Sequence, residues 1–322
     1  MRTAFRIGRP LAAVAALAVV VWRLGTGPFV DGVRAVDGPA LLAAGAIGVV
    51  TTICCAWRWT VVARGLGIRL SFPAAAAAYY RSIFLNLVLP GGVVGDVHRG
   101  VSHGREVDAV GRALRVVVWE RMAGQAVQAV LTVAVLLALP SPVRSTTPLV
   151  VGVLAVGAVV VLAVDRVSPN RSSRWARARI GLVADVRAGL LRRRALPAIA
   201  IASAVVVLGH TATFLVAART AGVGVSTPRL LPLAMLALLG MVLPSIGGWG
   251  PREGVTAWVF SAASLGAGRG AATAVAYGVL VFAAALPGAG VLVAGWAPRL
   301  RRPSPSRRRV RDGIRPRGAV DA

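Results

Sequence analysis

Long apolar segments constrain this fold more than any other sequence feature. A membrane helix needs about 20 largely apolar residues, and lipid offers the backbone no hydrogen-bond partners, so such segments must be helical. They cover residues 10–24, 39–62, 116–139, 148–164, 197–218 and 271–296. The sequence therefore predicts an all-α integral membrane protein, a polytopic helical bundle, with a membrane domain over residues 1–297.

The charge distribution indicates topology rather than nucleic-acid binding. The chain has 322 residues, a formal net charge of +26 and a hydrophobic content of 57%. Every basic side chain is an arginine, which excludes a Walker A phosphate loop or a lysine Schiff base in this chain. Nine arginines lie in 166–194 and nine in 299–317, beside apolar segments. They predict cytoplasmic segments at 165–196 and 298–322, the latter disordered, which can contact anionic lipid headgroups.

Counting membrane crossings between these basic segments fixes the rest of the topology. Both termini are expected in the cytoplasm, with residues 25–38 as a loop outside, residues 219–228 also outside, and residues 95–115 inside. Arg58, Arg64 and Arg69 are interpreted as the cytoplasmic end of the segment 39–62.

Two Pro/Gly breaks interrupt the apolar pattern, at residues 81–99 and 243–254. Proline and glycine disfavour a continuous helix, and broken backbone in a membrane is tolerated where protein or a watered cavity surrounds it. The crossing count predicts re-entrant hairpins at 72–94 and 230–265, entering from opposite faces. Two full crossings at either place would also satisfy the count.

The two halves of the chain share one plan in opposite orientations. Each contains a span, a broken hairpin and a span, over residues 39–139 and 197–296. Inverted repeats with broken elements at corresponding positions indicate a transporter with its substrate site near the midplane.

Few charges fall within the apolar regions, so their positions are informative. Glu120 and Arg121 lie near the start of one span, and Arg252 and Glu253 lie at the second break. Charges in a membrane usually pair or face a polar cavity, which predicts a shared polar groove; snorkelling to the interface is the alternative. No cofactor or metal pattern is found, since His98, His103 and Asp96 do not have compact ligand spacing.

Three motifs together resemble one family, the lysylphosphatidylglycerol synthase transmembrane (flippase-like) region of bacterial multiple peptide resistance factors. They contain Asn86-x-x-Leu89-Pro90-Gly91-Gly92-x-x-Gly95-Asp96-x-x-Arg99, Glu120-Arg121-x-x-Gly124, and Pro244-x-x-Gly247-Gly248-x-Gly250-x-Arg252-Glu253. The resemblance covers residues 39–296. The substrate-binding residues it implies are Asn86, Pro90, Gly91, Gly92, Asp96, Arg99, Glu120, Arg121, Gly247, Gly248, Arg252 and Glu253.

The resemblance implies the movement of a lipid across a bacterial inner membrane. In well-known members the membrane unit is implicated in flipping an aminoacylated phospholipid that a separate cytosolic domain makes. No segment of this sequence could be that synthase, so we expect a transporter of a phospholipid or polyprenyl-linked headgroup rather than an enzyme. Arg121 and Arg252 would contact phosphate, and Asp96 would shape the cytoplasmic mouth. Glu120 and Glu253 would either hold those arginines or meet a cationic headgroup.

Two alternatives remain open from the sequence. One is an integral-membrane enzyme, or a subunit of one, for lipid or glycan transfer, with Glu120 or Asp96 as general base. The other is a non-catalytic membrane scaffold.

Overall fold

The computed structural model describes residues 25–89, 91–139, 152, 174–242 and 250–300, and all regular structure there is helical. The first half contains α1 (Gly27–Arg34), α2 (Gly38–Gly65), α3 (Phe72–Val88), α4 (Val94–Glu106) and α5 (Val110–Ala138). The second half follows α6 (Arg174–Gly189) and contains α7 (Ala195–Thr220), α8 (Thr227–Leu239), α9 (Pro251–Ala262), α10 (Ala267–Ala285) and α11 (Pro287–Leu300).

Four helices among the described residues are long and apolar enough to cross a membrane. They are α2, α5, α7 and the stretch Ala267–Ala294, which joins α10 to the start of α11. Large apolar side chains on them face outward, with exposed fractions of 78% for Leu42, 67% for Leu137 and 62% for Ile201. These helices confirm the spans predicted at 39–62, 116–139, 197–218 and 271–296. The segments 10–24 and 148–164 and the basic tail lie largely outside the described residues.

The first break joins two short helices that pack tightly against each other. Between α3 and α4 the chain turns at Gly91 and Gly92, whose φ angles are +99° and +64°, a region that favours glycine. A Cβ at Gly95 would lie 2.0 Å from the Ser82 carbonyl oxygen, so the start of α4 touches α3 directly. Pro90 lies outside the described residues.

The helix after the first break, α4, begins at Val94, where we predicted the hairpin to end. Residues 95–106, assigned to a cytoplasmic segment, form α4, and Gly95, Asp96 and Arg99 in it are buried. The hydropathy pattern missed this helix because its glycines and charges break the apolar pattern, although the buried Asp96 and Arg99 are paired with side chains of α3 and α5.

The second break has a similar local form. α8 ends in a single 3₁₀ turn, Gly240–Val242, and α9 begins at Pro251 after Gly250, whose φ is +114°. Residues 243–249, which include the predicted site residues Gly247 and Gly248, lie outside the described residues. α8 and α9 pack against each other, as α3 and α4 do.

A further correction concerns residues 25–38, which we expected to form a loop. They contain α1, which packs on α10 because Gly32 permits a close approach: a Cβ there would lie 2.5 Å from the Ala272 carbonyl oxygen.

Two hydrophobic clusters form the core. One is centred on the second half of α2 with α3 and the start of α5, and includes Trp59. The other joins α8, α9 and α10 to the second half of α7, and includes Phe214. α2 and α7 pack along each other and contribute to both clusters. The middle sections of these two helices therefore lie where the clusters adjoin.

Candidate functional site

A buried carboxylate on α5 organises the polar interior. Glu120 is fully buried, and its Oε1 accepts a hydrogen bond from Arg58 Nε at 2.8 Å. Its Oε2 accepts from Arg99 Nη2 at 2.7 Å, and the Tyr79 hydroxyl donates at 3.1 Å to Oε1. Three helices, α2, α3 and α4, thus supply donors to one side chain of α5. A charge in a membrane interior is tolerated when it is paired in this way.

A second carboxylate, Asp96, extends this network across the first break. Its Oδ1 accepts from Arg99 Nε at 2.9 Å and from Ser82 Oγ at 3.2 Å. Its Oδ2 accepts from Asn86 Nδ2 at 2.9 Å and lies 2.6 Å from Arg121 Nη2. Arg99 therefore bridges the two acids. We call Arg58, Asp96, Arg99, Glu120 and Arg121 the ion network.

Asn86 also determines how α4 begins. Its Oδ1 accepts a hydrogen bond from the Gly95 backbone N–H at 2.7 Å, while its amide donates to Asp96. The first backbone N–H groups of a helix lack intrahelical partners, and an acid in the first turn is stabilised by the helix dipole. Asn86 therefore links the end of α3 to the start of α4 across the break.

The ion network carries three arginines and two carboxylates, a net charge of +1. Arg99 is fully buried, and its guanidinium lies 4.6 Å from the ring centre of Trp59 and 4.2 Å from that of Tyr79. Stacking on aromatic faces stabilises a buried cation. Arg121 differs, since its side chain is 43% exposed. The excess positive charge is thus accessible at Arg121.

Two predictions from the sequence, one about the partner of Glu120 and one about the position of Arg58, were wrong. Glu120 does not hold Arg121; it holds Arg58 and Arg99, while Arg121 pairs with Asp96. Arg58 does not mark the end of its span, because it is 5% exposed and pairs with Glu120 in the ion network.

The sequence analysis did not identify Arg58 as a site residue. Its space is provided by Gly124, where a Cβ would lie 2.8 Å from Arg58 Nη1. The same Nη1 donates to Ser203 Oγ on α7 at 2.8 Å, so Arg58 joins the two halves of the chain. The available signals were an arginine within the apolar segment of α2 and the glycine of the motif on α5.

A cavity of about 320 Å³ adjoins the ion network. Its polar part is lined by Arg58, Asn86, Arg121, Gln125, Gln128 and Ser203. Its apolar part is lined by Ala44, Ile47, Leu238, Val281, Ala284 and Ala285. On α2 the lining extends from Ala44 to Arg58, about 21 Å at 1.5 Å per residue. The cavity is therefore amphipathic and comparable in length to one bilayer leaflet.

A second buried ion pair lies at the start of α9. Arg252 Nε donates to Glu253 Oε1 at 2.9 Å, and Glu253 Oε2 accepts from the Gly250 backbone N–H at 2.6 Å. Gly278 leaves room for Arg252, because a Cβ there would lie 2.6 Å from Arg252 Nη2. Arg252 and Glu253 are both buried, and neither is among the described residues that line the cavity.

The second ion pair is linked to the cavity by an aromatic side chain. The Arg252 guanidinium lies 5.2 Å from the ring centre of Tyr277, and the Tyr277 hydroxyl lies 2.9 Å from Nδ1 of His210. His210 lines the cavity. A chain of contacts therefore connects α9 to the cavity through α10 and α7.

The two breaks place acids at the same helical position. Asp96 is the third residue of α4 and Glu253 is the third residue of α9, and each pairs with an arginine on its own helix. From the sequence we had instead expected Glu120 and Arg121 to correspond to Arg252 and Glu253 at the second break.

Asn86, Asp96, Arg99, Glu120 and Arg121 thus come together, with Gly92 also lining the cavity. Gly91 is at the turn, and Pro90, Gly247 and Gly248 lie outside the described residues. No group of three or more metal-ligating side chains occurs in the part of the chain that the structure describes.

Spanning helices around a buried ion network and an amphipathic cavity define a multi-pass α-helical membrane protein. Residues 7–295 match the family model described as the lysylphosphatidylglycerol synthase TM region. The chain therefore belongs to that family, which confirms the resemblance found in its motifs. A comparison with curated proteins gives no match.

Proposed function

We propose that this protein moves an amphipathic lipid across the bacterial inner membrane, with the headgroup passing through the cavity. The observation that carries the proposal is the amphipathic cavity itself, which is lined by Arg58 and Arg121 and also by apolar side chains. A headgroup must shed water to cross hydrocarbon, and a polar path lowers that cost. Acyl chains would remain against the apolar walls and in lipid.

Arg121 is the arginine best suited to exchange partners with a lipid phosphate. Its side chain is 43% exposed and its ion pair is with Asp96, which also accepts from Arg99, Ser82 and Asn86. Asp96 thus keeps other donors when Arg121 turns toward a phosphate. Arginine binds phosphate through charge-assisted hydrogen bonds, which are stronger than neutral ones.

The second ion pair has a corresponding role in the proposal. Arg252 would contact phosphate when the cargo is nearer the other face, with Tyr277 and His210 between it and the cavity. Glu253 holds Arg252 and the start of α9 together.

We further propose that the two short helix pairs are re-entrant hairpins of inverted repeats. Support comes from their shared form: each break has at least one described glycine with positive φ, and each second helix carries a buried acid as its third residue. Residues 165–196 and both termini would then face the cytoplasm. Movement of one repeat against the other would expose the cavity alternately.

The cytoplasmic surface would also contact anionic lipid headgroups in this proposal. Arg64, Arg192, Arg193 and Arg194 line a depression of about 590 Å³ between the end of α2 and the start of α7, with Trp57 on its apolar side. Basic pockets between membrane helices suit such headgroups.

The contacts of the carboxylates favour transport over an enzymatic role. Glu120 accepts from Arg58 and Arg99, and Asp96 from Arg99 and Arg121, while both carboxylates are buried. A general base needs access to the proton that it removes. Chemical change of a lipid donor by the purified protein would nevertheless identify the enzyme alternative, and neither transport nor chemistry would indicate a scaffold.

The test compares Arg121→Gln with Arg115→Gln in proteoliposomes containing labelled phospholipid. Both arginines are on α5, with similar exposed fractions of 43% and 49%, and each lies 2.6 Å from an aspartate oxygen. We expect Arg121→Gln to lose lipid movement and Arg115→Gln to keep it, since only Arg121 lines the cavity. Unchanged transport by folded Arg121→Gln protein would remove Arg121 from the mechanism.

A further inference from the structure

The charged side chains that line the cavity are all cationic. Among the described lining residues the ionised groups are Arg58 and Arg121, and the other polar side chains are neutral amides, hydroxyls, a thiol and His210. Asp96 and Glu120 lie behind these arginines and are held by them. The cavity therefore presents positive charge without a facing carboxylate.

Few acidic residues in this sequence could place a carboxylate in the cavity. The whole sequence has 11 aspartates and glutamates. Glu106 and Asp185 pair with His103 and Arg115, and Glu253 pairs with Arg252. Asp31 and Asp37 lie at the start of the first half, and Asp108 lies in the turn between α4 and α5.

The segments outside the described residues add few acids. They contain Asp165, Asp312 and Asp321, all in or next to the arginine-rich segments. Residues 243–249, which connect α8 to α9, contain none. A carboxylate partner for a cationic headgroup is thus missing from the described cavity and from that connection.

The neutral polar groups extend along one face of α5. Arg121, Gln125 and Gln128 are spaced i, i+4 and i+7, and all three line the cavity. Gln128 is about 10 Å from Arg121 along the helix at 1.5 Å per residue. Its Nε2 is buried and has no hydrogen-bond partner among the described residues. A buried amide donor of this kind calls for an oxygen acceptor.

We infer that the cargo is an anionic phosphodiester lipid whose headgroup is uncharged and rich in hydroxyl or carbonyl oxygens, and not a lipid that carries an ammonium group. This inference rests on the proposed function and narrows its cargo. The phosphate contacts Arg121 and Arg58, and the headgroup oxygens contact Gln125 and Gln128. An ammonium group would instead lie beside two arginines whose carboxylate partners, Glu120 and Asp96, do not line the cavity, which is unfavourable in a desolvated site. An aminoacylated phospholipid, the lipid that well-known members are implicated in flipping, carries such a group and is therefore not the cargo that we infer.

The test measures competition against a fluorescent phosphatidylglycerol bound to the purified full-length protein in detergent. The competitors have matched acyl chains and are phosphatidylglycerol, zwitterionic phosphatidylethanolamine and cationic lysylphosphatidylglycerol. We expect phosphatidylglycerol to compete at least about tenfold better than either ammonium lipid, or about 1.4 kcal/mol. Equal or better competition by an ammonium lipid would overturn the inference. Equal competition by soluble glycerol phosphate would also overturn it, because the ligand would then be a free phosphate ester.

Substitutions at Gln128 test whether the charge of the cavity, rather than its shape, determines which headgroup it binds. Gln128→Glu is nearly isosteric and introduces the missing carboxylate, so it should weaken phosphatidylglycerol binding and improve phosphatidylethanolamine binding. Gln128→Met is the neutral control and should weaken phosphatidylglycerol without improving the ammonium lipid. Gln125→Glu gives a second test of the same reversal if the Gln128 variants do not fold. An unchanged preference in a folded glutamate variant would contradict the inference.

The same assay distinguishes this inference from the proposed function. If the fluorescent lipid binds and Arg121→Gln releases it, the cavity holds lipid even where the headgroup preference is wrong. If Arg121→Gln has no effect on binding, Arg121 does not hold the phosphate, and the inference fails together with the role proposed for Arg121.

Discussion

At the scale of single residues, the ion network depends on space as much as on charge. Arg58 reaches Glu120 and Ser203 only because the facing residue on α5 is Gly124. Protein interiors are close-packed, so one extra methyl group destabilises the fold when its neighbour cannot move. Arg58 cannot move freely because its guanidinium is held from two sides.

We therefore predict that Gly124→Ala destabilises the protein and impairs lipid movement. The new Cβ would lie 2.8 Å from Arg58 Nη1 and displace it from its partners. Disturbing a buried ion pair costs up to about 3–5 kcal/mol, which outweighs the gain of about 1 kcal/mol from alanine in a helix. Thermal unfolding in detergent and the vesicle assay would measure the two effects.

Gly111→Ala is the matched control for this prediction. Gly111 is also on α5, and a Cβ there would meet nothing within 4 Å. This variant should be as stable as the native protein or slightly more stable. Equal melting temperatures for the two alanine variants would show that Gly124 has no special packing role.

Most charged residues of the ion network could be predicted from the sequence, but Arg58 could not. Glu120 and Arg121 were predicted because charges are rare in apolar regions, whereas Asp96 and Arg99 were implied by the family resemblance. Arg58 was misassigned because it precedes Arg64 in the same run, and the local sequence cannot distinguish a buried arginine from one at the helix end. Its partner Glu120 is 62 residues away, so only the tertiary fold identifies it.

At the scale of helices, close approaches set the geometry around the cavity. α11 packs on α3 at Gly288, where a Cβ would lie 2.2 Å from the Tyr80 carbonyl oxygen. Tyr80 lines the cavity. α11 begins at Pro287, directly after α10, and brings the end of the last described span against α3.

We predict that Gly288→Ala separates α11 from α3 and lowers both stability and lipid binding. Backbone on α3 cannot yield as a flexible side chain could, so the helices must move apart. Gly290→Ala, two residues along the same helix, meets open space and should behave like the native protein. Melting temperature and binding of fluorescent phosphatidylglycerol would measure this. Full binding by Gly288→Ala would mean that this contact does not shape the cavity.

The spanning helices were predictable from sequence, whereas α4 was not. Apolar length alone identifies α2, α5, α7 and the stretch Ala267–Ala294. α4 has the sequence VGDVHRGVSHGRE, whose glycines and charges resemble a solvent-exposed segment. Its buried polar side chains, Asp96 and Arg99, are satisfied by Asn86 on α3 and Glu120 on α5. The residues that allow this segment to pack as a helix are therefore distributed over three helices.

At the scale of the whole molecule, the proposed topology requires the two hairpins to enter from opposite faces. We predict that cysteines at Ser71 and Val107, which flank α3 and α4, are labelled from the same side by an impermeant reagent. Cysteines at Ser226 and Ala262, which flank α8 and α9, should both be labelled from the other side. All four positions are exposed. The background variant replaces Cys54 and Cys55 with alanine.

Labelling of the two ends of either hairpin from opposite faces would contradict the re-entrant arrangement. Cysteines at Arg192 and Arg219, at the two ends of the spanning helix α7, provide the control, because they must be labelled from opposite sides. The measurement thus tests the topology independently of any lipid cargo.

The ion pair between Arg58 and Glu120 affects how α2 is inserted into the membrane. Arg58 is synthesised 62 residues before Glu120, so α2 enters the membrane while its permanent charge has no carboxylate to meet. An arginine deep in an isolated helix opposes insertion by about 2.5 to 3.5 kcal/mol. We therefore expect α2 to remain beside the insertion machinery until α5 emerges from the ribosome, so that the two helices leave for the bilayer as a pair.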